Sequence, residues 1–269
     1  MILINGKAGD TLGISDRATQ YGDGCFTTML VEQGAVRLWP HHLSRLQRTL
    51  QVLAIAEPDW ETLTLEVERL AAQYANKGGI KILISRGAGG RGYSPVGCQQ
   101  TTVIVSDFAW PVHYEQWQAD GITLGVCHQR LALSPMLAGH KHLNRLEQVM
   151  LKREAEQNGW LDAVVLDVNG CVVEAIASNI FWRQGNVVFT PELDMSGVHG
   201  VMRRHIIELC KQLGYCLEFV KTPLDNLLCA DEVFITNALM ALVPVNEIKG
   251  KQFTERTLLN ALNKRLYTC

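Results

Sequence analysis

Residues 80–107 read IKILISRGAGGRGYSPVGCQQTTVIVSD, and what joins the two apolar runs of this stretch decides the fold. Residues 80–85 and 101–107 are both strand-like. Between them Gly87, Gly89 and Gly92 match the GxGxxG of a dinucleotide-binding turn, and Asp107 lies near the distance expected of an acid that binds ribose. That reading requires a crossover helix of about 10–12 residues between parallel strands. Only residues 93–100 separate Gly92 from the second strand, and Pro95 interrupts them. The strands are therefore expected to be antiparallel and joined by a glycine-rich loop.

Upstream, residues 1–6 predict a short strand entering a turn at Asn5 and Gly6, and residues 25–32 and 35–39 predict a hairpin with Gly34 in its turn. The period then becomes helical. Leu43, Leu46, Leu50 and Leu53 form one stripe, and Trp60, Leu63, Val67, Leu70 and Tyr74 form the next. Downstream, residues 109–120 show no clear period and read as a connector. Residues 122–127 predict a strand, and a helix is expected from Lys141, with Leu143, Leu146 and Met150 on one face, closing at Asn158 and Gly159. Residues 161–190 predict a four-strand meander with turns at Asn169 and Gly170 and at Gly185 and Asn186. Gly200 precedes a helix carrying Met202, Ile206, Leu209 and Leu213. A strand (216–220), a short helix (224–228), a strand (232–236) and a terminal helix from Thr254 follow. The expected fold class is α/β, of the α+β kind with much antiparallel sheet, in two lobes: 1–112, a linker at 113–120, and 121–269. No period of 20–50 residues recurs, so a repeat architecture is excluded.

With 269 residues, 47% hydrophobic and 19% charged, and a net charge of -2, the chain has the composition of an ordinary globular protein and no basic excess to bind nucleic acid. The N-terminal MILINGKAGD lacks an export pattern, and no apolar run is long enough to span a bilayer, so a cytoplasmic location is expected. The eight cysteines lie mostly in apolar runs with no CxxC pair, and read as reduced, buried thiols.

Chemistry is suggested by residues 137–148, LAGHKHLNRLEQ, where Lys141 stands between His140 and His142. Most lysines are solvated surface groups. Here small or apolar neighbours and an expected helix N-terminus, whose dipole disfavours an ammonium by up to about 1 kcal/mol, would favour the neutral amine that attacks an aldehyde. His140 and His142 do not share a helix face, and no Cys or carboxylate set completes a metal site, so no metal is expected. No GxSxG elbow supports serine hydrolysis. Arg45 lies off the leucine stripe of its helix and reads either as a solvated arginine or as an anion ligand. Glu174, after the apolar run 171–173, reads as a partly buried carboxylate needing a partner. Gly200, Val201 and Met202 open a helix whose free N–H groups suit a phosphate, although most such turns bind nothing. An amine, a carboxylate and an anion cradle with an arginine fit pyridoxal 5′-phosphate, but spacing alone does not establish it.

The runs DRATQYGDGCFTT (16–28), HxxRL (42–46), AGHKHLNRLEQ (138–148), ExxxSN (174–179) and GVMR (200–203) occur in this order in the fold type IV pyridoxal-phosphate enzymes, which the chain resembles from Leu3 to about Val245. The family contains aminotransferases and lyases. With SRGxGGRGYS (85–94) and NALMxLVPV (237–245), the resemblance is strongest to the lyase branch. It implies a small-molecule substrate, a homodimer, Lys141 as the lysine that carries the cofactor, Arg45 and the N–H groups of Val201 and Met202 on its phosphate, and Glu174 on its pyridine nitrogen. Arg91 resembles an arginine that binds substrate carboxylate in the D-amino acid enzymes, and Tyr93 stands where those have a histidine. Ala238 replaces a threonine that many aminotransferases place on the phosphate, which leans against a branched-chain aminotransferase. Transamination of D-amino or branched-chain amino acids, or cofactor binding without catalysis, remain the alternatives. The last two dozen residues match no functional motif and are expected to form a packing helix.

Overall fold

The chain opens with β1 (Ile2–Ile4), turning at Asn5 and Gly6 into β2 (Lys7–Ala8), and then forms a short helix, α1 (Arg17–Tyr21). The expected hairpin follows as β3 (Gly24–Glu32) and β4 (Ala35–Val36). Its two turn residues, Gln33 and Gly34, both have positive φ, the backbone that matches the twist of paired strands. Next come α2 (Trp39–Leu53), α3 (Trp60–Ala71), β5 (Lys77–Ser85) and β6 (Thr102–Ala109). β5 and β6 are antiparallel, in register from Gly78 opposite Ala109 to Ser85 opposite Thr102, as the short glycine-rich connection requires. The six strands are ordered β2-β1-β6-β5-β3-β4.

These elements are Met1–Pro111, which with His140–Arg145 form the first of two compact units of this computed structural model. The structure describes residues 1–98 and 100–267. Alternation along β3 buries Cys25, Thr27, Met29 and Val31, which join Ile80, Ile82 and Ile84 of β5 and the leucines of α2 and α3 in one core. Only part of the α2 core face is apolar: its buried residues are His42, Arg45, Leu46, Thr49 and Leu50.

The second unit comprises Val112–Gly139 and Leu146–Cys269. Residues 113–120, read as a connector, are helical: α4 (His113–Asp120) buries none of its residues and so leaves no apolar period. After it come β7 (Ile122–Val126), α5 (Leu146–Gln157), and the meander β8 (Asp162–Leu166), β9 (Val172–Ala175), β10 (Asn179–Gln184) and β11 (Val187–Pro191). Then follow α6 (Val201–Gln212), β12 (Cys216–Val220), α7 (Leu224–Leu228), β13 (Glu232–Asn237), β14 (Ala241–Ile248), β15 (Lys251–Gln252) and α8 (Thr257–Asn263). The nine-stranded sheet runs β12-β11-β10-β13-β14-β7-β8-β9, with β15 on β14. Three of its pairings are parallel, β11 with β12 and β7 with both β14 and β8.

Three expectations are corrected. The helix expected from Lys141 begins at Leu146, because residues 141–143 give their backbone groups to β3: Phe26 N–H donates to Lys141 O and Leu143 N–H to Gly24 O, each 3.0 Å. The stripe of Leu143, Leu146 and Met150 is not its buried face, which is formed by Leu151, Glu154 and Ala155. Of the cysteines, Cys25, Cys127 and Cys210 are buried, but Cys216 and Cys229 are exposed. Among the described residues, no helix is long and apolar enough to cross a membrane.

Candidate active site

On the polar part of the α2 face, Arg45 is buried at 6% exposure. Its Nη2 donates to Thr27 Oγ1 at 2.5 Å, and Thr27 Oγ1 lies 2.6 Å from His42 Nδ1. A guanidinium can only donate, so Thr27 accepts from Arg45, and the direction of its bond to His42 follows the tautomer of that ring. Burial, reinforced by the charge of Arg45, holds His42 well below the usual histidine range, so the ring is neutral. Burial also pulls Arg45 down to about 10. Neighbouring Cys25, pushed up to about 12 by burial, is a neutral thiol and provides no counter-charge. Two buried atoms of this cluster, Arg45 Nε and His42 Nε2, have no hydrogen-bond partner among the described residues. An arginine sequestered without a carboxylate is costly unless an anion meets it. The solvated alternative for Arg45 is thereby removed.

Lys141 belongs to the same unit. The segment crosses beside β3 through a bridge between His142 and Cys25, and Arg145 folds back to donate to the carbonyls of His142 and His140, both at 2.9 Å. His140 Nδ1 lies 3.1 Å from Thr49 Oγ1, which itself donates to the carbonyl of Arg45. The residue before Lys141 is thus tied one turn beyond Arg45. The Lys141 ammonium sits 4.6 Å over the Phe26 ring. Because α5 starts only at Leu146, Lys141 is not in its first turn, and that part of the expectation falls. Burial, then Arg145, His140 and Lys141, lower His142 to about 4. Neither histidine is held for a metal by the expected helix.

In the second unit Glu174, on β9, is buried and accepts from Val198 N–H at 3.0 Å. Asn179 of β10 donates to the carbonyl of Val198 at 2.8 Å. Either side of Val198, Gly139 N–H donates to Gly197 O and His199 N–H to Gly139 O, at 2.9 and 3.0 Å. Gly200, which has no side chain to cap with, then stands at the N-cap of α6. A Cβ at Gly200 would lie 2.0 Å from Asn179 Oδ1, so this approach admits only glycine. Val201 and Met202 are both buried. Ala238 lies in a turn held by Asn237 Oδ1, which accepts from Leu239 and Met240 N–H at 2.9 Å.

Arg91 and Tyr93 are exposed on the loop between β5 and β6, with the Tyr93 ring 5.6 Å from that of Tyr21. The structure therefore ties Arg45 to the Lys141 segment within one unit, and Glu174 to the start of α6 within the other. Sequence reasoning missed Thr27, His42, Thr49 and Asn179. A signal existed: His42 and Thr49 stand three before and four after Arg45, the spacing of one helix face.

The family model of class IV aminotransferases matches residues 24–248. The chain is 42% identical to an aminodeoxychorismate lyase of Vibrio harveyi over 99% of its own length and 98% of that protein. It is 31% identical to a putative branched-chain-amino-acid aminotransferase of Methanocaldococcus jannaschii, covering 93% of the chain and 88% of the relative. The crystal structure of 4-amino-4-deoxychorismate lyase from Pseudomonas aeruginosa superposes with a TM-score of 0.92 at 34% identity, over 100% of both chains.

Proposed function

The chain belongs to the class IV aminotransferase family, and from that premise we propose that it is a pyridoxal-phosphate lyase converting 4-amino-4-deoxychorismate to 4-aminobenzoate and pyruvate, a step that supplies folate synthesis. The observation that carries the cofactor is the buried guanidinium of Arg45, which among the described residues has no partner on Nε and no carboxylate beside it. The uncapped start of α6 is a second donor set of the same chemistry. Likeness to lyases along the whole chain supports the substrate.

In this reading Arg45 and the N–H groups of Val201 and Met202 bind the phosphate, and Glu174 holds a proton on the pyridine nitrogen. Lys141 binds the aldehyde. It stands two residues along the chain from Gly139, which is hydrogen bonded on either side of the Glu174-bound Val198. When bound, pyridoxal phosphate supplies an electrophilic carbon and a protonated ring that accepts electron density. With the cofactor bound, the free amine of Lys141 would remove the proton from the amine-bearing ring carbon. The carbon–oxygen bond to the enolpyruvyl group then breaks, the ring becomes aromatic, and Lys141 returns a proton to the departing group to give pyruvate. Arg91 pairs with a substrate carboxylate, and Tyr93 borders the substrate. We place the enzyme in the cytoplasm as a homodimer, a state supported by Leu146, Val149 and Met150, which are exposed together at helical spacing on α5.

Lys141→Ala tests the assignment. It should abolish turnover together with the visible absorbance that borohydride removes from the wild-type holoenzyme, and retention of full activity would sink it. Transamination is the second reading, favoured by the aminotransferase relative. Sustained amino transfer to a 2-oxo acid would establish it.

A further inference from the structure

The run SDRATQYGDG, residues 15–24, has no task in the chemistry above, although it is densely bonded. Asp16 is buried at 4% exposure. Its Oδ1 accepts from Ser85 Oγ and its Oδ2 from Thr102 Oγ1, each at 2.7 Å. Ser85 ends β5 and Thr102 begins β6, so one carboxylate ties both ends of the glycine-rich loop. Arg17, also 4% exposed, reaches into the middle of that loop. Its Nη1 donates to Gly92 O at 3.0 Å and Ser94 O at 3.4 Å, and its Nη2 donates to Tyr93 O at 3.2 Å. Its third nitrogen, Nε, donates to Asp23 Oδ2 at 2.8 Å. Asp23 is fixed in turn by Arg86, whose guanidinium also donates to Leu53 O and Ala54 O at the end of α2.

The loop needs such a clasp. Gly87, Gly89, Gly90 and Gly92 all have positive φ, outside any strand ladder, and glycine backbone left untethered is the freest in the chain. Three successive carbonyls converge on one planar fork, a geometry that a guanidinium provides and an ammonium does not. Arg91 immediately precedes these three residues, and Tyr93 is one of them.

We propose that Arg17 is a positioning residue for substrate: with Asp23 it fixes the backbone of residues 92–94 and so presents Arg91 and Tyr93 in one geometry. This rests on the reading that the loop binds substrate. Arg17 acts through the loop backbone and touches neither substrate nor cofactor, so its loss should appear in substrate affinity and leave the cofactor in place.

The test uses holoenzymes of Arg17→Met, Arg17→Lys and Arg91→Gln. Each is followed by cofactor absorbance and by KM and kcat for 4-aminobenzoate release, and the wild type and both Arg17 variants also by the rate of tryptic cleavage after Arg91. Both Arg17 variants should keep the cofactor absorbance and raise KM about tenfold with a smaller change in kcat. They should also speed cleavage at Arg91 about tenfold, because the clasp no longer restrains the loop. Arg17→Lys keeps a charge beside Asp23 and decides the matter if Arg17→Met does not fold. Faster cleavage with KM unchanged, while Arg91→Gln raises KM, would overturn the positioning role and leave the substrate loop standing. Unchanged cleavage in the folded Arg17 variants would overturn the clasp. An unchanged KM in Arg91→Gln would overturn the substrate-loop reading itself, and the inference with it.

Discussion

Two arginines of the first unit, Arg17 and Arg45, are both little exposed and oppositely treated. Arg17 has a carboxylate on Nε and backbone carbonyls on both terminal nitrogens, and its hydrogen bond to Asp23 raises its pKa above the ordinary value. Among the described residues Arg45 meets one threonine hydroxyl, with Nε unpartnered and no carboxylate, and burial pulls it down to about 10. A saturated guanidinium is a fastener. An undersupplied one is held in readiness for an anion, by a framework that tolerates its cost.

The sharpest way to break this contrast is to remove each charge. Arg45→Met should weaken pyridoxal-phosphate binding by about 100-fold or more, the loss of charge-assisted bonds worth about 3 kcal/mol, measured by cofactor titration. The same change should leave the protein, without cofactor, at least as stable as wild type, because it deletes a buried unpaired charge. A large fall in melting temperature there would show that Arg45 is a fastener after all. Arg17→Met should do the reverse, lowering stability by about 2 kcal/mol through the contacts it removes while cofactor affinity stays within about threefold. Chemical denaturation and titration of one preparation read both quantities.

The histidines beside these groups give the contrast a pH dependence. His42 and His142 are neutral in the fold, the latter with its pKa at about 4. The unfolded chain begins to protonate both rings near pH 6.5 and the folded chain does not follow until lower pH. Stability should therefore be unaffected above about pH 7 and fall as pH drops from about 6.5 toward 4, by at most about 1.4 kcal/mol per pH unit for each ring. His142→Gln should flatten part of the slope in urea unfolding measured across that range, and an unchanged slope would reassign it to other groups. The smallest effect is expected at Thr27. Thr27→Val removes the hydroxyl that accepts from Arg45 and should weaken cofactor binding about fivefold to tenfold, near 1 kcal/mol, with Thr27→Ser restoring it.

Much of this was legible in the chain. The short, proline-interrupted connection in residues 93–100 dictated antiparallel β5 and β6, and Gly34 marked the β3 and β4 turn. The start of α6 at Gly200 also read correctly, because a glycine followed by a clear apolar stripe is local information. What failed depended on distant partners. Residues 141–143 looked helical by their spacing, yet their backbone groups are satisfied by β3, more than a hundred residues earlier. β14 was not anticipated, since Pro244 lies within it and proline ordinarily argues against an interior strand. The burial of Arg45 was illegible for a related reason. A helix face mixing His42, Arg45 and Thr49 with leucines does not read as core until Thr27, on another element, is placed against it.

The most direct test of the proposed function is a stoichiometry. Purified holoenzyme given 4-amino-4-deoxychorismate, with no 2-oxo acid added, should release 4-aminobenzoate and pyruvate in equal amounts through many turnovers. Failure to form 4-aminobenzoate, together with sustained amino transfer once a 2-oxo acid is supplied, would contradict the lyase assignment and make this chain an aminotransferase.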